Sequence, residues 1–234
     1  MNMLLLSVDS SATPASVCLY DGKVLAEYFI NTRLTHSQTL VAMIDSALNI
    51  TGTSVDDIDC YAVNNGPGSF TGVRIGVSAI KGMAFASDKP CVAVSTLESM
   101  AYNLLSSDAV VCACMDARRH QVYNALFRVR DGRVERLCED RAIGIDELIE
   151  ELKAFSEKVI LVGDGAELVY NSVVELNVVI LADPLSRYQR ASSTAIIAAE
   201  RLDRRETVLP AALMPSYLRL SQAERERQSK EKEY

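Results

Sequence analysis

Residues 65–76, Asn-Gly-Pro-Gly-Ser-Phe-Thr-Gly-Val-Arg-Ile-Gly, form a glycine-rich turn that leaves an apolar run and opens a helix of small side chains. Free N–H groups at a helix start, reached through glycines, can hold a phosphate. Gly66 and Gly68 are the candidate contacts for such a group. The familiar spacings are not met, however. Counted from Gly66, the last position of G-x-G-x-x-G falls on Thr71, and no Gly-Lys-Ser/Thr follows to complete a Walker A loop. The alternative is a turn with close packing: Pro67 stops the strand, glycine permits positive φ, and Ser69 caps the helix.

Two aspartates are the other candidates for phosphate or metal chemistry. Asp9 and Asp116 each close an apolar run, where they act either as strand-end turn residues or as remnants of a ligand-binding pair. The chain has two histidines, His36 and His120, too far apart in sequence for a local two-histidine metal site. His36 lies in Thr35-His36-Ser37-Gln38, which reads as a capping box built from Thr35 and Gln38. His120 reads as a loop residue. Six cysteines fall mostly within apolar runs at irregular spacing, as reduced core thiols do, and Cys112-Val-Cys114 lacks further ligands at zinc-site spacing. No metal or cofactor is expected.

These residues are positioned by a unit that occurs twice. The first copy has strands over 4–8, 16–20 and 23–29, with Asp21-Gly22 at the hairpin turn. A helix over 35–48, a strand over 59–63 and the glycine turn into a helix over 70–86 follow. The second copy has strands over 110–115, 122–129 and 133–137, with Asp131-Gly132 as the turn. A helix over 146–155, a strand over 158–162 and Gly163-Asp164-Gly165 follow. A hairpin-extended strand joined to parallel strands through helices is the core of an RNase H-like fold, and two in tandem make an actin-like (ASKHA) α/β architecture. In that architecture an Asp closing the first strand of each unit is where phosphate or metal is met. The expected division is residues 1–105, residues 106–222, and a charged tail over 223–234. A further amphipathic helix is expected over 191–202, and a proline-containing segment over 209–220 carries Ser216-Tyr217-Leu218-Arg219.

With 234 residues and 49% hydrophobic side chains the chain can bury a large core. Its 24 basic against 31 acidic residues give a net charge of −7, which repels nucleic-acid phosphates on average. If RNA is involved, a partner supplies most of the grip. Only residues 3–6 are continuously apolar near the start, and no run is long enough to cross a bilayer, so a cytoplasmic location is the expectation.

The helix over 70–86 is apolar nearly all round. Gly72, Gly76, Ala79, Met83 and Ala86 share one face, and Val73, Val77, Ile80 and Ala84 the other. Glycines inside a helix cost stability and need a packing or functional reason.

Asp9-Ser10-Ser11, His36-Ser37, residues 65–76, Lys81-Gly82 and Asp116-Ala117-Arg118 with Val122-Tyr123 together resemble the TsaB (YeaZ) family of bacterial tRNA threonylcarbamoyladenosine biosynthesis proteins. The resemblance spans residues 4–219. It implies a non-catalytic paralogue of the transferase TsaD that forms a heterodimer with TsaD and recruits the ATPase TsaE. The complex modifies the adenosine beside the anticodon, with tRNA met only through the complex. TsaD resembles a metalloenzyme with a His-x-x-x-His pair; here Thr96 and Met100 stand in those positions. Leu40, Met43 and Ile44 from the first helix, and Gly72, Arg74, Gly76, Ala79 and Met83 from the second, are the expected TsaD contacts. The two helix pairs would form a four-helix bundle, and the same face would support a weak homodimer. For Arg74, solvation is the competing role. Two other classes stay open: an actin-like ATP-binding protein or phosphotransferase acting alone, using Asp9, Asp116 and the glycine turns, and a peptidase of the glycoprotease-like M22 group.

Overall fold

The computed structural model describes residues 3–173 and 176–219. The charged tail lies outside the described residues.

The first lobe begins with a five-residue strand, β1 (Leu5–Asp9), buried throughout. On one side it pairs antiparallel with β2 (Ala15–Tyr20), which hairpins into β3 (Val24–Ile30). On the other side it pairs parallel with β4 (Cys60–Gly66), and β5 (Cys91–Ser95) follows, giving the order β3-β2-β1-β4-β5. A central strand covered on both faces needs apolar side chains in both directions, and Leu5, Leu6 and Val8 supply them. Helix α1 (His36–Thr51) covers β2 and β3, and α2 (Phe70–Ser87) covers β4.

The second lobe repeats the plan. Strand β6 (Ala109–Asp116) pairs antiparallel with β7 (Gln121–Arg130), which continues to β8 (Arg133–Arg136) through Asp131-Gly132, both with positive φ as the tight hairpin turn requires. Strand β10 (Val159–Val162) lies parallel on the other side of β6, followed by β11 (Val179–Leu181). The order β8-β7-β6-β10-β11 matches the first sheet strand for strand. The tandem RNase H-like reading is thus the architecture observed. One strand was not expected: β9 (Arg141–Gly144) pairs with residues 121–124 of β7. The ten-residue β7 is longer than the four-residue β8 can cover, and β9 takes the edge left open. Helices α4 (Ile145–Leu152) and α5 (Ala166–Ser172) pack in this lobe, and the one-turn α6 (Pro184–Arg187) follows β11.

The division at residues 105/106 needs correction at its far end. Helix α7 (Ala191–Asp203) follows the second sheet in sequence yet packs on β1, β2, β4 and β5. Ile197 and Ala198 join Leu5, Ala62, Val92 and Val94 in one core cluster. Residues 208–219 stay with the first lobe as well: Val208 bridges to Cys91, and Leu213 is buried in the α1–α2 core. The second lobe therefore ends near residue 190. Helix α3 (Thr96–Tyr102) lies between the lobes, touching β4 and β5 on one side and β6 and β7 on the other.

Candidate functional site

The glycine turn sits where β4 becomes α2. Ser69 caps the helix as its sequence position requires, its Oγ accepting from the Gly72 N–H at 3.3 Å. The turn itself is occupied by the chain's own backbone. Ser69 N–H donates to the Ser11 carbonyl at 2.6 Å, and Ser216 N–H donates to the Asn65 carbonyl at 2.7 Å. A Cβ on Gly66 would collide with the Ser216 carbonyl, and one on Gly68 with that of Ser11. Gly66 and Gly68 are thus required by close passage of two other segments, and the cradle expected for a phosphate is filled from within.

Between the lobes lies a cleft of about 530 Å³. The β1–β2 loop (Ser11, Thr13), the segment before α1 (Arg33, His36), the glycine turn, the β6–β7 loop (Asp116, Arg118) and residues 216–219 line it. Asp9 stands behind this lining, wholly buried. Its Oδ1 accepts from Ser11 N–H and Ser11 Oγ, both at 2.9 Å, and its other oxygen accepts from the Asn64 amide. Burial raises its carboxyl above the ordinary range. Both oxygens are spent within the fold, so Asp9 is a structural strand-end residue, not an exposed ligand. Asp116 reaches the cleft but is engaged by Arg118, whose N–H donates to it at 2.7 Å and whose guanidinium lies 3.2 Å away.

Asp164, in the second glycine turn, is the carboxylate that sequence reasoning passed over. Its Oδ1 is buried without a hydrogen-bond partner among the described residues, and it lines the cleft. Burial pushes its pKa up to about 6, with the charges of Asp116 and Asp9 adding to the shift. The repeat itself pointed to it, since Gly163-Asp164-Gly165 occupies the place of Gly66-Pro67-Gly68. Among the described residues no three His, Cys, Asp or Glu side chains gather as a metal ion would need.

The expected partner contacts separate into two groups. Leu40, Met43 and Ile44 are buried in the chain's own core with Val17, Leu19 and Val63. Gly72 and Gly76 face inward: a Cβ on Gly72 would strike the Ser10 carbonyl, and one on Gly76 would lie 2.5 Å from Ser10 Oγ. These five residues are corrected from partner surface to internal packing. An all-apolar helix does not reveal which stripe meets its own sheet, and here the small stripe admits the β1–β2 loop. Arg74 is also engaged internally, its Nε donating to the Tyr217 hydroxyl at 2.7 Å and its guanidinium lying 3.8 Å over the Phe70 ring. Ala79 and Met83 are partly exposed at the flank of α2, and Val41 on α1 is 65% exposed.

The two histidines lie on different lobes. His36 Nε2 bonds the Ala12 carbonyl at 2.7 Å, tying α1 to the β1–β2 loop, and His120 meets Asp146 at 3.3 Å. The expected capping box at Thr35 does not form; Gln38 N–H reaches the Thr35 carbonyl, and the Thr35 hydroxyl meets Ser37 instead. Thr96 and Met100 are both fully buried, one turn apart on α3. The thiols fit core packing: burial pushes Cys18 and Cys60 up to about 12 and Cys91 to about 11. Cys112 is raised by its contact with Cys114 and by burial. No helix of the described residues is long and apolar enough to cross a membrane.

A family model described as TsaD, tRNA N6-adenosine threonylcarbamoyltransferase, matches residues 23–227. The Bacillus subtilis (strain 168) protein named tRNA threonylcarbamoyladenosine biosynthesis protein TsaB is 31% identical over 95% of this chain and 96% of its own length. The Escherichia coli (strain K12) protein of the same name is 34% identical over 70% of this chain and 72% of its own. A solved structure of YeaZ from Pseudomonas aeruginosa superposes with a TM-score of 0.79 at 26% identity, covering 92% of this chain and 100% of that one. The chain therefore belongs to the TsaB (YeaZ) family of tRNA threonylcarbamoyladenosine biosynthesis proteins, built on the actin-like fold that the family shares with TsaD.

Proposed function

We propose that this chain is a non-catalytic scaffold subunit of the tRNA threonylcarbamoyladenosine modification complex, binding and activating TsaD and recruiting the ATPase TsaE. The observation that carries the reading is the state of the positions where TsaD-like proteins would place a histidine pair. Thr96 and Met100 fill them, and both side chains are buried between the lobes. The remaining histidines hold loops and helix ends in place.

The partner surface in this reading is the outward side of α1 and α2, with Val41, Ile75, Ala79, Gly82 and Met83. Gly82 supports it. A Cβ there would meet nothing within 4 Å, so the chain's own packing does not require glycine, although glycine weakens a helix by about 1 kcal/mol relative to alanine. A second helix pair approaching closely would supply the missing reason. The same surface would support a weak homodimer when TsaD is absent. Reconstitution of tRNA threonylcarbamoylation from TsaD, TsaE and the adenylate-forming synthase, with and without this chain, tests the proposal.

The ATP-binding reading is favoured by one feature, the Asp164 carboxylate facing the cleft with an unpaired oxygen. It is opposed by the internal capture of Asp9 and by the filled glycine turn. Hydrolysis of ATP by the isolated chain would support it over the scaffold reading.

A further inference from the structure

The lobes are joined by α3 and α7, away from the residues that line the cleft. The Asn103 amide donates to the carbonyls of Ser186 at 3.0 Å and Tyr188 at 2.7 Å, and Ser193 Oγ donates to Asn103 Oδ1 at 2.7 Å. Residues 216–219 line the cleft. The segment that carries them is tied along the flank of α2. Lys81 Nζ donates to the carbonyls of Ala211 at 3.0 Å and Leu213 at 3.2 Å, and Leu213 is 1% exposed. The Asn65 side-chain amide donates to the Met214 carbonyl at 3.0 Å, and Ser216 N–H returns to the Asn65 carbonyl. Tyr217 stacks on Phe70 with ring centroids 4.5 Å apart and accepts from Arg74.

All of those ties are to the first lobe. Two residues further on, the Arg219 guanidinium donates to the Ala117 carbonyl at 2.9 Å, on the hairpin loop of the second lobe. It is the one hydrogen bond from this segment to that lobe among the described residues. The loop it reaches is under backbone strain: Arg118, Arg119 and His120 have φ of 65°, 57° and 58°, a left-handed run that is unfavourable for each of these residue types. Asp116 holds it by accepting from Arg118 N–H.

We propose that residues 213–219 are a latch on the inter-lobe cleft, anchored on α2 and closed by the single contact of Arg219 with the Ala117 carbonyl. The α3–α7 contacts act as the hinge, and separation of the two lips of the cleft requires Arg219 to release. The anchor is several hydrogen bonds and a stacked ring pair; the closing contact is one charge-assisted hydrogen bond, so that contact yields first. The inference rests on the cleft geometry and not on the partner reading.

The test is the distance between spin labels at positions 34 and 119, one on each lip, in the full-length chain with Cys138→Ser to avoid labelling of that half-buried thiol. With Arg219 in place one narrow distance is expected. Arg219→Ala should raise the open-to-closed ratio about tenfold, the equivalent of one hydrogen bond to a charged group, and Arg219→Lys should restore most of the closed population. Far-ultraviolet circular dichroism identical to that of the parent establishes that the fold is retained. An unchanged distance distribution in Arg219→Ala would overturn the proposal.

Discussion

Ser10 donates its hydroxyl hydrogen to the Gly72 carbonyl at 2.8 Å, joining the β1–β2 loop to the first turn of α2. The approach leaves no room for a side chain at Gly72, and Ser10 Oγ also occupies the space beside Gly76. Gly72→Ala should therefore destabilise the isolated chain by about 1–3 kcal/mol through overpacking, and Gly76→Leu should do more. Urea unfolding of the two variants measures this. Parent-like midpoints would mean that the loop moves aside freely and that the glycines serve another purpose.

Gly82 should behave in the opposite way. Gly82→Ala is expected to stabilise the isolated chain by about 1 kcal/mol, since the site is open and helical. Gly82→Arg should leave the fold intact and remove association with TsaD on size exclusion. Co-elution of Gly82→Arg with TsaD at parent level would move the partner surface elsewhere.

Asp164 ties stability to pH. Its folded-state pKa of about 6 lies above the ordinary value of 3.8, so between those limits the folded chain holds a proton that the unfolded chain has lost. Its contribution to stability consequently falls as pH rises from about 4 to about 6, and above that the full penalty of a buried charge is present. Asp164→Asn should remove this loss, a gain of about 3 kcal/mol at pH 7 that shrinks to a small fraction of that at pH 4. Thermal unfolding at the two pH values checks it; an equal gain at both would show that the carboxylate carries no such shift.

The thiols should be silent while the chain is folded. Five of the six are buried, and Cys138 alone is half-buried. A thiol reagent at neutral pH is expected to modify at most one cysteine in the native chain and all six after denaturation. Rapid reaction of two or more would contradict the core assignment.

How far the sequence carried this depended on the kind of interaction. The duplicated strand-hairpin-helix plan was readable because Asp-Gly turns and apolar runs are local signals, and both sheets follow it. The orientation of α2 was not: with Val73 and Val77 on one face and Gly72 and Gly76 on another, only the position of Ser10, some sixty residues earlier in the chain, determines that the two glycines are buried as well as the valines. The contact of Arg74 with Tyr217 was not legible for the same reason, since Tyr217 is brought to it by a segment with no regular secondary structure. The return of α7 to the first sheet was likewise a property of tertiary packing, because its sequence records an amphipathic helix but not the lobe that it covers.

The most direct measurement is threonylcarbamoylation of tRNA by purified TsaD, TsaE and the adenylate-forming synthase, with this chain present, absent, or replaced by Gly82→Arg, alongside ATP turnover by this chain alone. Modification is expected only with the parent chain, with no ATP turnover by the chain by itself. Full modification without it, or ATP hydrolysis by the isolated chain, would contradict the scaffold role.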